Sequence, residues 1–185
     1  METFLSLAFL AVFAALAYGA SDSKGKMFEI KSVAVDCGQK IPDVASKSAD
    51  DCGSKCQKDA NCRFASYNIK DKKCQLIPPT SDCSFGGAGF DNFELIGFAY
   101  KKFTKRDNAF LDSAELKNKK GNTVLSSGNG LSADTCRNLC DIHPNCKAAY
   151  YTAAMGQSGC KLLAKAEPVK SVPNPTSTNI VFAAA

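Results

Sequence analysis

SADDCGSKCQKDANCRFASY at residues 48–67 returns as SADTCRNLCDIHPNCKAAYY at residues 132–151, at a constant offset of 84 residues. Nine of the 20 positions are identical and three of those are cysteine. A fourth cysteine closes each copy, as Cys74-Gln75-Leu76 and as Cys160-Lys161-Leu162, after a two-residue insertion in the second. Self-similarity of this kind marks two homologous domains in tandem. The period is far longer than that of a solenoid unit, so each copy is expected to have its own core rather than to stack as an array.

Within each copy the first two cysteines, Cys52 and Cys56 or Cys136 and Cys140, are four apart. On a helix that spacing puts both sulfurs on one face, which is read as the buried one. Ser48 and Ser132 are natural N-caps, with Asp50 and Asp134 in the first turn against the helix dipole, and Asp51 completes a capping-box-like pattern. Pro144 and the Asn-Cys pairs mark where the helices stop. Extended runs are expected before the helices at 27–35 and 123–126. After them come 64–69, 74–77 and 93–103 in the first copy, and 148–152, 160–164 and 180–182 in the second. The expected fold class is α+β: two small antiparallel sheets, each crossed by one helix and stapled by disulfides.

The 185 residues begin with FLSLAFLAVFAALA at residues 4–17, too short to span a bilayer and followed by small-x-small cleavage patterns. Residues 1–20 therefore read as a signal peptide, which leaves room for a first domain at 21–100 and a second at 101–185. Secretion carries all 10 cysteines through an oxidising lumen, and their even number favours a disulfide framework over metal thiolates. Cys37 and Cys83 have no counterparts at the aligned Gly121 and Val169; their joint absence pairs them with each other. In each copy three pairings of the other four cysteines remain, and helix geometry disfavours joining neighbours four apart.

A helix bearing C-x3-C, a third cysteine six residues on, then C-x-L, in a secreted module of about 75 residues, resembles the PAN/apple domain family. The resemblance implies a five-stranded antiparallel sheet against one helix. It also implies the bridges Cys52–Cys74, Cys56–Cys62, Cys136–Cys160 and Cys140–Cys146, with Cys37–Cys83 similar to the extra bridge of the apple subgroup. A signal peptide followed by two such domains looks most like the galactose-binding microneme lectins of coccidian, hence apicomplexan, parasites. That likeness implies a secreted lectin for terminal galactose or N-acetylgalactosamine on cell-surface glycans, used in host-cell adhesion. It further implies a homodimer and storage in microneme-type organelles. A protein-binding apple module, antihaemostatic or adhesive, and a binder of heparin-type anionic glycans are the alternatives.

Charge is uneven: residues 21–100 carry 11 Lys/Arg against 11 Asp/Glu, residues 101–185 carry 12 against 6. A cationic second domain attracts sulfated glycans or anionic lipid, or simply solvates the junction; secretion argues against nucleic acid as a partner. A neutral sugar needs an aromatic face and polar groups that hold its hydroxyls. The second copy offers Tyr150, Tyr151, Lys147, Lys161, Lys165, Asp141 and His143, with Tyr150 as the exposed contact and Tyr151 as framework. His143, beside Pro144 at a helix end, also reads as a capping residue. One histidine, no tryptophan and no G-x-S-x-G, H-E-x-x-H or C-x-x-C argue against catalysis. No catalytic residue, metal site, cofactor or membrane span is expected. With three bridges against two, the first domain is expected to outlast the second towards heat and reductant.

Overall fold

A computed structural model of the chain describes residues 24–80, 83–86, 91–107, 109–110, 124–154, 157–164, 170–171 and 178–185. The expected signal segment and Lys165 lie outside these residues. Among the described residues there are two helices, α1 (Ala49–Lys58) and α2 (Ala133–Ile142). The capping serines work as their positions imply. Ser48 Oγ accepts from the Asp51 N–H at 3.1 Å and Ser132 Oγ from the Thr135 N–H at 3.1 Å. The Asp51 carboxylate turns back to the Lys47 N–H and the Ser46 hydroxyl rather than to Ser48, and pairs with Lys55 at 2.6 Å. These donors, Lys55 first, hold its pKa far below the usual carboxylate range.

The first sheet is built from β1 (Met27–Lys31), β3 (Asp43–Ala45), β4 (Phe64–Asn68), β5 (Lys73–Ile77) and β7 (Phe93–Phe98), in the order β1-β7-β4-β5-β3. The second holds β8 (Phe103–Asp107), β10 (Val124–Asn129), β11 (Ala148–Ala154), β12 (Gln157–Leu163) and β14 (Thr178–Ala184), in the order β8-β14-β11-β12-β10. All pairs in both are antiparallel. The two orders are the same topology, with the helix inserted at the same point. Two short ribbons complete the folding unit: β2 (Val35–Asp36) with β6 (Ser84–Phe85), and β9 (Ala109–Phe110) with β13 (Lys170–Ser171).

Two expected extended runs are broken. The run 93–103 divides into β7 and β8, which belong to different sheets, because the chain leaves the first sheet at Phe98 and enters the second at Phe103. The run 27–35 breaks at Ser32, whose φ of 58° turns the chain out of β1. The disulfides are Cys37–Cys83, Cys52–Cys74, Cys56–Cys62, Cys136–Cys160 and Cys140–Cys146, with no free cysteine among the described residues. Both helical cysteine pairs are fully buried.

The expectation of two separate cores is not met. One small cluster, with Cys52, Ala65, Tyr67, Ile96 and Phe98, lies between α1 and the first sheet. The larger one is shared: Ile30, Phe64, Ile77 and Leu95 on the other face of the first sheet join Leu139, Ile142, Ala149 and Phe182 of the second half. The molecule is layered as α1, first sheet, α2, second sheet. A sheet with apolar side chains on both faces must cover both, and α2 covers the face that α1 leaves bare. Gly97 permits the approach, because a Cβ there would lie 2.4 Å from Ile142 Cγ2. With the core shared, joint unfolding is the expected outcome in place of the separate melting that bridge counts suggest.

Gly53, in the middle of α1, answers a similar need. A Cβ on it would meet Met27 Sδ at 2.5 Å and Ile96 Cγ2 at 2.9 Å. Gly53→Ala gains about 1 kcal/mol of helix propensity but overpacks this contact, at about 1–3 kcal/mol. The expected result in urea titration is a net loss of stability; a gain would show that α1 rides freely on the sheet.

Candidate functional site

Most of the residues expected to hold a sugar serve the fold. Tyr150 is 6% exposed, and its hydroxyl donates to Asn179 Oδ1 at 3.2 Å on the next strand. Burial raises its phenol pKa. The expectation of an exposed Tyr150 is thus corrected. Strand alternation does put Tyr150 and Tyr151 on opposite faces, but both side chains are covered: Tyr151 packs against the shared core, and Tyr150 lies beside buried Val181. Lys161 faces Tyr150 across the ladder, and Lys147 is exposed where β11 begins. Tyr151 and Lys161 point to opposite sides of the sheet, so these side chains do not converge on one site.

Asp141 and His143 are also corrected as exposed ligands, being 6% and 1% exposed. His143 is the C-cap of α2, its Nδ1 accepting from the Asn145 N–H at 3.2 Å. Asp141 Oδ1 accepts from the N–H groups of Tyr100 at 3.0 Å and Lys101 at 2.8 Å, so its carboxylate anchors the connection between the sheets. Burial raises its pKa against the lowering effect of those bonds.

The same junction uses Arg63, which sequence reading passed over. Its Nε donates to Ile142 O at 3.2 Å and its Nη2 to Asp141 O at 3.1 Å, placing a cation on the last carbonyls of α2, where the helix dipole favours one. The guanidinium lies 3.4 Å from the centroid of the Tyr100 ring, whose hydroxyl donates to Arg63 O at 2.7 Å. Lys101 Nζ donates to Cys140 O and His143 O at 2.6 and 2.7 Å. Lys24 does the equivalent for α1, donating to Cys56 O and, at 2.7 Å, to Asp59 O. A lysine just ahead of the first strand therefore caps the helix in both halves. Only pairing in space reveals it, since neither lysine lies in the repeated sequence stretch.

Beside this junction an open cleft of about 610 Å³ separates β1 from β8 and α2. Its apolar wall is made by Phe28 of β1 and by Phe103, Ile180 and Phe182 of the second sheet. Its polar rim carries Lys26, Lys105, Asp134, Arg137 and Asn138, with Lys101 and Asp141 at the inner end. Arg137 pairs with Asp134 at 3.6 Å and Lys105 with Asp107 at 2.8 Å, both at the exposed surface. Such pairs contribute roughly 0–1 kcal/mol, so a ligand displaces them at little cost. Of the expected site residues that the structure describes, Asp141 alone lines this cleft. Lys105, Phe28, Phe103 and Arg137 are scattered in sequence and carry no motif that would single them out.

Among the described residues no helix is long and apolar enough to cross a membrane. Five disulfides point to an extracellular or secreted protein. No curated protein matches the chain. The model of the PAN domain family matches residues 29–95, which run from β1 through α1 into β7: this segment is a PAN domain, a module that binds proteins or carbohydrates.

Proposed function

We propose that the chain is a secreted carbohydrate-binding protein and not an enzyme, that its second half is a second PAN-type module, and that sugar enters the cleft between the two. The observation that carries the reading is the cleft itself. It sets the half-buried rings of Phe28 and Phe103, over a floor of buried Ile180 and Phe182, against a rim of charged and amide groups. A sugar needs that combination, an apolar surface for its C–H face and planar or charged groups for its hydroxyls. Terminal galactose or N-acetylgalactosamine is the ligand implied by the resemblance to two-apple microneme lectins, and adhesion to host cells is the corresponding role. A homodimer would supply the avidity that single shallow sugar sites lack.

A glycan array with the refolded, oxidised protein tests the reading: retention of galactosides is expected, and no bound glycan at high protein concentration overturns it. A protein-binding role is the second reading, favoured by β3, an edge strand whose three residues, among them Val44, are all exposed. A pulled-down protein that sugar does not displace would support that alternative.

A further inference from the structure

We infer that the cleft takes a sugar bearing an anionic group, a sulfate ester or a carboxylate, held between Arg137 and Lys105. This rests on the carbohydrate reading and names the ligand class of the same cleft. Its ground is a comparison of equivalent places in the two halves. Met27 faces Phe98 at the start of β1 as Phe103 faces Ala184 at the start of β8, so Met27 corresponds to Phe103 and Glu29 to Lys105. The offset of the helical repeat equates Gly53 with Arg137 and Asp50 with Asp134.

In the first half the space between first strand and helix is filled, because Met27 Sδ lies 2.5 Å from where a Gly53 Cβ would stand. The charges there are mostly acidic: burial and neighbouring Glu29 raise the Glu94 pKa, with Asp50 adding to the effect and Lys31, which faces Glu94 across the ladder, opposing it. In the second half the same places carry Phe103, Lys105 and Arg137, and an open cleft lies between them. A glutamate has become a lysine, a glycine an arginine and a methionine an aromatic ring. Lys26 and Lys101 bring the cations lining the cleft to four, against the carboxylates of Asp134 and Asp141. Asp141 is already engaged by two backbone N–H groups and Lys101 by the Cys140 and His143 carbonyls, which leaves Lys26, Lys105 and Arg137 against Asp134 at the rim. A guanidinium matches the paired oxygens of a sulfate or carboxylate, Lys105 adds a point charge, and Phe103 offers a surface for the ring.

The test is titration calorimetry of the intact oxidised chain with methyl galactoside, galactose 6-sulfate and galacturonic acid, at low and at physiological salt. At least one of the two acidic sugars is expected to bind roughly tenfold more tightly than the neutral one, with an affinity that falls as salt rises. The sulfated and the carboxylated arm identify the source of the anion. Lys105→Glu, which restores the first-half residue, and Arg137→Ala should each remove that preference, while Lys58→Ala on α1 should not. All three positions are at least partly exposed, so circular dichroism should stay unchanged. Equal binding of neutral and acidic sugars, or a preference that survives both cleft variants, overturns the inference and leaves the carbohydrate reading standing. If none of these sugars binds and the glycan array is also blank, the carbohydrate reading fails with it.

Discussion

Leu139→Ala should destabilise the whole chain by about 2–5 kcal/mol, the range for emptying a buried leucine site, and should do so in a single transition. Leu139 is 1% exposed on α2, in the core that joins the two sheets. For a chain of this size that is a large fraction of total stability, about 5–15 kcal/mol in ordinary proteins. The informative readout is amide hydrogen exchange. β4 and β7 contribute Phe64 and Leu95 to the core that Leu139 helps to fill. Exchange in these strands should therefore accelerate together with exchange in β11, although the substitution lies in the other half. Full protection of β4 and β7 while β11 opens would show that the halves unfold independently and that the layered packing contributes little.

Removing the bridge between Cys136 and Cys160 by a double alanine substitution should cost about 3 kcal/mol. The two residues are 24 apart in sequence, and the bridge ties α2 to β12 through the middle of the second sheet. Cys140 and Cys146 are only 6 apart, so the bridge between them restricts the unfolded chain less. All four sulfurs lie at buried sites, so the side-chain burial lost is similar for both pairs. The double alanine variant of the shorter pair should therefore lose about 1 kcal/mol less, by the dependence of chain entropy on loop length. Denaturant titrations of the two variants decide the order. A larger loss from the shorter loop would place the stabilisation in native contacts of the turn around Cys146 rather than in the unfolded chain.

Much of the secondary structure follows from local rules that residues 48–67 and 132–151 display openly. Serine caps, aspartates in the first turn and cysteines four apart placed both helices, since capping and helical periodicity act over a few residues. Alternation placed β4, β5, β11 and β12 in outline, and correctly set Tyr150 and Tyr151 on opposite faces. Alternation does not tell whether one face or both are covered. That depended on α2 packing against Gly97 and Leu95 of the other half, a contact between segments about 45 residues apart. The fates of Tyr150, Asp141 and His143 turned on the same kind of information. Each has polar atoms that suit a ligand, and each spends them on a partner brought close only by the fold.

The sequence by itself determined that a cysteine-bearing stretch occurs twice and that the cysteines are even in number, because both are linear properties. It also showed that the excess positive charge lies in the second copy. Only the tertiary structure decided that the copies share a core and that a cleft opens between them. It alone set Glu29 of one copy against Lys105 of the other as equivalent places, whereas the repeat had already aligned Gly53 with Arg137. The physical reason is that β1 and β8 match through strand register at a spacing different from the helical repeat, and register is fixed by which strands pair. A cleft is the space left between packed layers, and no single segment of chain encodes it.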